Sequence, residues 1–189
     1  ENLQLPSMIK GWYNPKTSPE MLLTNYIATG KNKYLSLLVA QFNLSLYHYL
    51  LSQSNKELAE DVVQTTWLKV MKTTQNTPQR NVKSWLFTIA RNTLIDEFRR
   101  QQKWQSQLLD ENKMLTVNLE KSVQAADRIT QFNAALEQLP FLQREAFIFQ
   151  QEGFSVMEIS VLTNDSFETI KSRLRYARNN LGHLLGSSS

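Results

Sequence analysis

Four cations, Lys171, Arg173, Arg175 and Arg178, fall within eight residues that contain no acid. At that density Lys and Arg suit the capture of phosphates, and either can pair with the acceptor edge of guanine. From Gln131 to Glu168, six acids (Glu137, Glu145, Glu152, Glu158, Asp165, Glu168) stand against one base, Arg144. A basic segment beside an acidic one reads as a polyanion-facing element on a solvated support. Ordinary variation in surface charge accounts for the same counts. Two further sets recur at helical spacing. Glu57, Asp61, Gln64 and Leu68 are separated by four, three and four residues, and Ser84, Thr88, Asn92, Ile95 and Arg99 by four, four, three and four. Each set lies along one helix face. In the second, Asn92 can donate to and accept from a base edge, Asp96 borders it, and Arg91, Arg99 and Arg100 offer cations for a nucleic-acid backbone, although a surface helix residue with water as its partner is the simpler reading of Asn92 from the spacing alone.

Bond-making chemistry finds no comparable set. The absence of Cys removes disulfides, Cys-bearing zinc sites and thiol nucleophiles. Two histidines, His48 and His183, are too few for a histidine-rich metal centre. No nucleophile–base pair and no Gly-rich phosphate loop is present. The carboxylate pairs Glu60–Asp61 and Asp110–Glu111 could work as acid and base, but solvated helix or linker charges explain them as well. The chain therefore reads as a non-enzyme, with no catalytic residue, no metal and no cofactor.

These residues need helices to position them. With 5 Gly and 5 Pro in 189 residues, turn-makers are too scarce for a sandwich or barrel of many short strands. Hydrophobic residues at 41% and charged ones at 20% allow a buried core, and the net charge of +4 is mildly basic. No apolar run of about eighteen residues and no signal-like start occurs, which leads us to expect a cytoplasmic protein without direct membrane insertion.

The expected fold is all-α: two helical domains joined by a linker, the C-terminal one a helix-turn-helix. Residues 1–18 form an N-terminal segment whose first seven residues precede Met8, and 186–189 a Gly-Ser tail. Both are set aside from fold reasoning. Residues 19–100 read as the first helical domain. There Ala59, Val62, Val63, Thr66, Trp67, Val70 and Met71 make one buried stripe, opposite the Glu57–Leu68 face. Thr73 to Asn81 is polar, contains Pro78 and reads as a loop. Val82 to Arg100 then buries Trp85, Leu86, Ile89, Ala90, Thr93 and Leu94, with Phe87 and Phe98 widening the apolar surface. Residues 101–126 have balanced charge and few large apolar residues, as a linker would.

Residues 127–185 read as the second domain. Phe132, Ala135, Leu136 and Leu139 share a helical face that Pro140 stops, and Phe141 to Glu152 follows as a helix ended by Gly153. Ser155 and Glu158 have capping-box spacing. A short helix to Thr163, the turn residues Asn164-Asp165-Ser166 and a last helix with the seam Ile170, Leu174, Ala177 and Leu181 complete the pattern. Short helix, turn and longer basic helix make a helix-turn-helix whose second helix could enter a major groove. A helix pair that merely packs in a bundle has the same outline.

Several blocks are similar to one known family. Ala134-Leu-Glu-Gln-Leu-Pro140, Gln143-Arg-Glu-Ala-Phe147, Phe154-Ser155, Glu158-Ile159, Thr169-Ile-Lys-Ser-Arg-Leu174 and Ala177-Arg178 resemble the promoter −35 binding region of bacterial sigma factors. Ala59-Glu-Asp-Val-Val-Gln64 with Trp67-Leu68 resembles the helix that docks on core RNA polymerase. Trp85-Leu-Phe-Thr-Ile-Ala-Arg-Asn92, Leu94-Ile-Asp96 and Phe98-Arg-Arg100 resemble the helix that handles the −10 element. In order, from about Leu35 to Leu185, these blocks resemble the extracytoplasmic-function group of the sigma-70 family.

The resemblance implies an alternative sigma factor with core RNA polymerase, promoter DNA and an anti-sigma factor as partners. It implies polymerase contacts at Glu57, Glu60, Asp61, Gln64 and Leu68. The −10 element falls to Thr88, Arg91, Asn92, Asp96, Arg99 and Arg100, with a flipped base held near Asn92, Asp96 and the Thr73–Lys83 loop. The −35 element falls to Glu168, Thr169, Lys171, Ser172, Arg173, Arg175 and Arg178. Departures stand at Thr65, where the family usually has an acid, and at Asn164, where Gly is usual. Asp165 replaces an aliphatic residue, and Tyr176 a basic one. A response-regulator-type DNA-binding protein would share the last two helices but has no use for the Ala59–Leu68 and Trp85–Asn92 blocks. A helical adaptor or anti-sigma-like protein leaves the cations at 171 to 178 without a role.

Overall fold

The computed structural model describes residues 17–73, 80–101 and 128–186. Among them are eight α-helices and no strand: α1 (Pro19–Thr29), α2 (Asn32–Gln53), α3 (Lys56–Lys72), α4 (Val82–Arg100), α5 (Arg128–Gln138), α6 (Phe141–Gln151), α7 (Val156–Thr163) and α8 (Phe167–Gly186). The all-α expectation holds. Two compact units result, Glu1–Leu94 and Ile95–Ser189, divided inside α4. The expected N-terminal segment, linker and tail fall largely outside the described residues, as do 74–79 of the expected loop.

The first unit begins with a well-capped helix. Ser18 accepts a bond from the Met21 amide at 3.2 Å, Pro19 opens α1, and Gly30 closes it at φ 64°, a left-handed conformation that glycine adopts without a Cβ clash. In α2, Leu35, Leu38, Phe42, Leu46, Tyr49 and Leu50 are buried at three- and four-residue steps, giving an apolar stripe along its length. Asn55 caps α3 by accepting from the Leu58 amide at 2.9 Å. Buried Ala59, Val62, Val63, Thr66, Trp67 and Val70 face the interior. At about 1.5–3 kcal/mol for each large aliphatic side chain, such stripes dominate the packing energy.

Met71 departs from the expected stripe and is 48% exposed. The helical advance of about 100° from Val70 carries it round to the side of Gln64 and Leu68. Specific polar bonds fix the helices to one another. Trp67 Nε1 donates to Asn43 Oδ1 at 2.8 Å between α3 and α2, and the Tyr49 and Phe87 rings lie 5.9 Å apart between α2 and α4. At the start of α4, Asn81 has φ 57° and caps the Ser84 amide at 3.0 Å. Glu20 of α1 accepts from the Val82 amide at 3.1 Å, placing a carboxylate where the helix dipole favours one.

In the second unit, α5, α6 and α7 all pack against α8. Ala135 and Leu136 of α5, with Leu139 just after it, meet Ala177, Leu181 and Leu184 of α8, flanked by Phe147, Ile148 and Leu185. Pro140 stops α5, and across that break Arg144 donates to the Glu137 carbonyl at 2.8 Å. Burial lowers the Arg144 pKa from its ordinary value, and the Glu137 charge opposes this. Gly153 follows α6 at φ 90°, and the Phe149 and Phe154 rings meet edge-on at 5.9 Å.

Candidate nucleic-acid and polymerase interfaces

The turn between α7 and α8 is built as its residues dictate. Ser155 and Glu158 form the full capping box at the start of α7, with the Ser155 amide donating to Glu158 Oε2 at 2.8 Å and the Glu158 amide to Ser155 Oγ at 3.2 Å. Asn164 ends α7 at φ 59° and ψ 40°. Asn tolerates this left-handed conformation better than most residues. Ser166 then caps α8 by accepting from the Thr169 amide at 3.1 Å. Ile170, Leu174, Ala177 and Leu181 are all buried, as their spacing predicts.

The opposite side of α8 carries the polar set. Glu168, Lys171, Arg175 and Arg178 are exposed, and Thr169 and Ser172 are half-buried. Lys171 Nζ lies 3.4 Å from Glu168 Oε1, and the Arg175 guanidinium sits over the Tyr176 ring at 5.2 Å. Arg178 reaches across to α6, donating to Gln150 Oε1 at 2.6 Å. Gln150, Glu168, Lys171, Ser172, Arg175 and Arg178 help line an open cleft of about 390 Å³.

Arg173 is a correction. It was expected among the groove-facing cations, yet it is only 8% exposed. Its guanidinium is bonded to Asp165 in the turn, Nη1 to Oδ2 at 2.6 Å and Nη2 to Oδ1 at 3.4 Å. Glu145, expected as a solvated acid, is buried as well.

On α4, Thr88 is half-buried and Asn92, Asp96, Arg99 and Arg100 are exposed. The Arg99 guanidinium lies 3.7 Å from Asp96, and Arg100 Nε donates to Glu97 at 3.0 Å. Exposed pairs of this kind are worth about 0–1 kcal/mol, so both cations can exchange partners for a phosphate at little cost. Arg91 and Ile95 do not join this face. They are 8% and 5% exposed, because Phe87, Arg91, Ile95 and Phe98 form a second buried row beside Leu86, Ala90 and Leu94. Trp85 and Ile89, expected in the main stripe, are only half-buried.

On α3, Glu57, Glu60, Asp61, Gln64 and Leu68 are all exposed, opposite the buried stripe. Leu68 is 53% exposed, and Met71 adds a second large apolar side chain that the sequence reading had placed inside. The signal lay in its spacing: Gln64, Leu68 and Met71 follow i, i+4, i+7.

Residues 38–104 match the family described as sigma-70 region 2. The chain is 33% identical over 144 residues to the ECF RNA polymerase sigma factor EcfG of Rhodopseudomonas palustris, covering 75% of this chain and 79% of that protein. Among solved structures it is similar to the sigma factor RpoE of Bartonella quintana, crystallised with the anti-sigma factor NepR. That likeness has 30% identity and a TM-score of 0.64, covering 82% of this chain and 98% of the other. CnrH, solved with the cytosolic domain of CnrY, shares the fold at a TM-score of 0.65 and 21% identity, covering 91% of this chain and all of the other, 100%.

Proposed function

The chain belongs to the extracytoplasmic-function group of the sigma-70 family, and from that premise we propose how its surfaces divide the work of an alternative sigma factor. Its function is to direct RNA polymerase in transcription initiation; it acts by binding and positioning. The exposed face of α3, from Glu57 to Leu68 and on to Met71, docks on core RNA polymerase. The face of α4 carrying Thr88, Asn92, Asp96 and Arg99, with Arg100 beside it, holds the melted −10 strand. Helices α7 and α8 act as a helix-turn-helix, and Glu168, Thr169, Lys171, Ser172, Arg175 and Arg178 meet the −35 element. Residues 19–100 thus serve polymerase and the −10 element, and 127–185 the −35 element.

The observation that carries this division is the exposure of polar residues opposite buried stripes on three separate helices. An interface puts most of its energy into a few desolvated contacts, and each face offers such a cluster. At α4, Asn92 supplies both a donor and an acceptor for an unpaired base, while Arg99 and Arg100 attract the backbone. At α8, the unburied cations combine phosphate anchoring with groove reading. The relative solved with NepR supports an anti-sigma factor as a further partner, since such a protein would control access to these faces.

Run-off transcription with core polymerase and a promoter library tests the proposal. The wild-type chain yields specific transcripts from a selected −10/−35 pair. Transcription independent of the chain, or duplex binding without polymerase recruitment, contradicts it and favours a stand-alone regulator.

A further inference from the structure

Phe167 opens α8, directly after the cap residue Ser166. It lies outside the buried seam of Ile170, Leu174, Ala177 and Leu181, and its side chain is 41% exposed. A lone apolar side chain is ordinary on a protein surface. The place of this one gives it a role, because the N-terminal residues of a recognition helix are those that meet base edges. Lys171 Nζ lies 5.6 Å from the centre of the Phe167 ring and 3.4 Å from Glu168 Oε1. Ring, carboxylate and ammonium therefore form one cluster at the leading end of the helix, beside the polar face. The other groups there offer no comparable apolar surface. Thr169 is half-buried, with its hydroxyl 2.8 Å from Ser166 Oγ. Tyr176 is 50% exposed but stands about 13 Å further along the axis.

We infer that Phe167 is a specificity-determining residue that reads the C5-methyl group of a thymine in the −35 element. This rests on α8 being the recognition helix. In the major groove each base pair is told from the others by the placing of its donors, its acceptors and, where thymine is present, one methyl group. The polar residues of α8 can satisfy donors and acceptors, but they gain nothing by covering a methyl. A phenylalanine ring does gain, because both apolar surfaces leave water when they meet. Beside it, Lys171 can donate to guanine and Glu168 can accept from the cytosine amino group. The leading end of α8 thus carries a partner for each kind of groove-facing group. A backbone phosphate offers an uncharged ring no such gain, which separates Phe167 from the anchoring cations.

The experiment titrates the full chain with a duplex it selects from a random pool, and with copies in which each thymine in turn is replaced by deoxyuridine. This exchange removes one methyl group and keeps the base pair. Wild type is expected to lose about three- to fourfold in affinity at one thymine, the effect of one apolar carbon no longer buried. Phe167→Ala and Phe167→Gln are expected to bind that thymine duplex and its uracil copy alike. A scan in which no exchange weakens wild type overturns the inference, and so does a selected site that specifies no A·T pair. A thymine–uracil difference that persists in either variant overturns it too, because another side chain then covers the methyl. The two variants leave different volumes at this position, so a loss of fold in one leaves the other to decide. If the chain selects no duplex, and Lys171→Ala and Arg175→Ala leave affinity and salt slope untouched, the recognition-helix reading itself fails, and this inference with it. If selection succeeds and depends on those two cations while the uracil scan is flat, only the role of Phe167 falls.

Discussion

Lys69 Nζ donates a hydrogen bond to Thr93 Oγ1 at 2.8 Å, joining α3 to α4. The Thr93 hydroxyl in turn donates to the Ile89 carbonyl at 2.8 Å. The helix proposed to meet polymerase is therefore tied directly to the helix proposed to hold the melted strand. Thr93→Val keeps the volume and removes both bonds. Lys69 is exposed and can rehydrate, so the expected cost is about 1 kcal/mol in a denaturant melt, with −35 duplex binding unchanged. Wild-type stability in this variant contradicts the role given to the pair.

The docking face of α3 makes a second prediction. Asp61→Ala combined with Gln64→Ala should weaken core polymerase binding by about 2 kcal/mol or more while the fold is retained. Met71→Ala should weaken it further, since Met71 extends the exposed row of Gln64 and Leu68. A folded double variant with undiminished affinity for core reduces this face to solvated surface.

Much of this architecture was legible because helical periodicity and capping act locally. The Ala59–Val70 stripe, the Ser155–Glu158 box, the left-handed Asn164 and the Ile170–Leu181 seam all depend on residues within a turn or two. What escaped depends on a second surface or a distant partner. Ile95 and Arg91 looked solvent-facing from the Leu86 row, but Phe87 and Phe98 bracket them at helical spacing and widen the buried arc. Arg173 looked like one more groove cation, and only the fold of the turn brings Asp165 to it. Residue type alone cannot tell a cation aimed at a ligand from one already paired inside.

The α7 caps predict local stability effects. Ser155→Ala removes the hydroxyl that accepts from the Glu158 amide and donates to its carboxylate, and should cost about 1 kcal/mol in a thermal or denaturant melt. Asn164→Ala forces a Cβ-bearing residue without a polar side chain into the left-handed region, at a cost of about 1–2 kcal/mol. Asn164→Gly is expected to be near neutral. Equal stability of the Ala and Gly variants at 164 contradicts a conformational role.

The cations of α8 should separate by function. Changing a phosphate anchor among Lys171, Arg175 and Arg178 to Ala lowers the salt slope by about one unit and weakens all sequences alike. Changing a base reader relaxes preference at one −35 position instead. Salt titrations on a panel of single-base promoter variants separate the two outcomes, and three silent substitutions contradict the assignment of α8.

The division of labour among the three faces is tested most directly at Asn92, exposed on α4 between Thr88 and Asp96. Asn92→Ala removes one donor and one acceptor and leaves the buried rows of α4 intact. The measurement is permanganate reactivity of the −10 strand in complexes of core polymerase, promoter and variant, read alongside core affinity and −35 duplex binding. The account predicts normal core and −35 binding, reduced open-complex reactivity and relaxed preference at one −10 base. Normal reactivity and normal base preference in Asn92→Ala would contradict it.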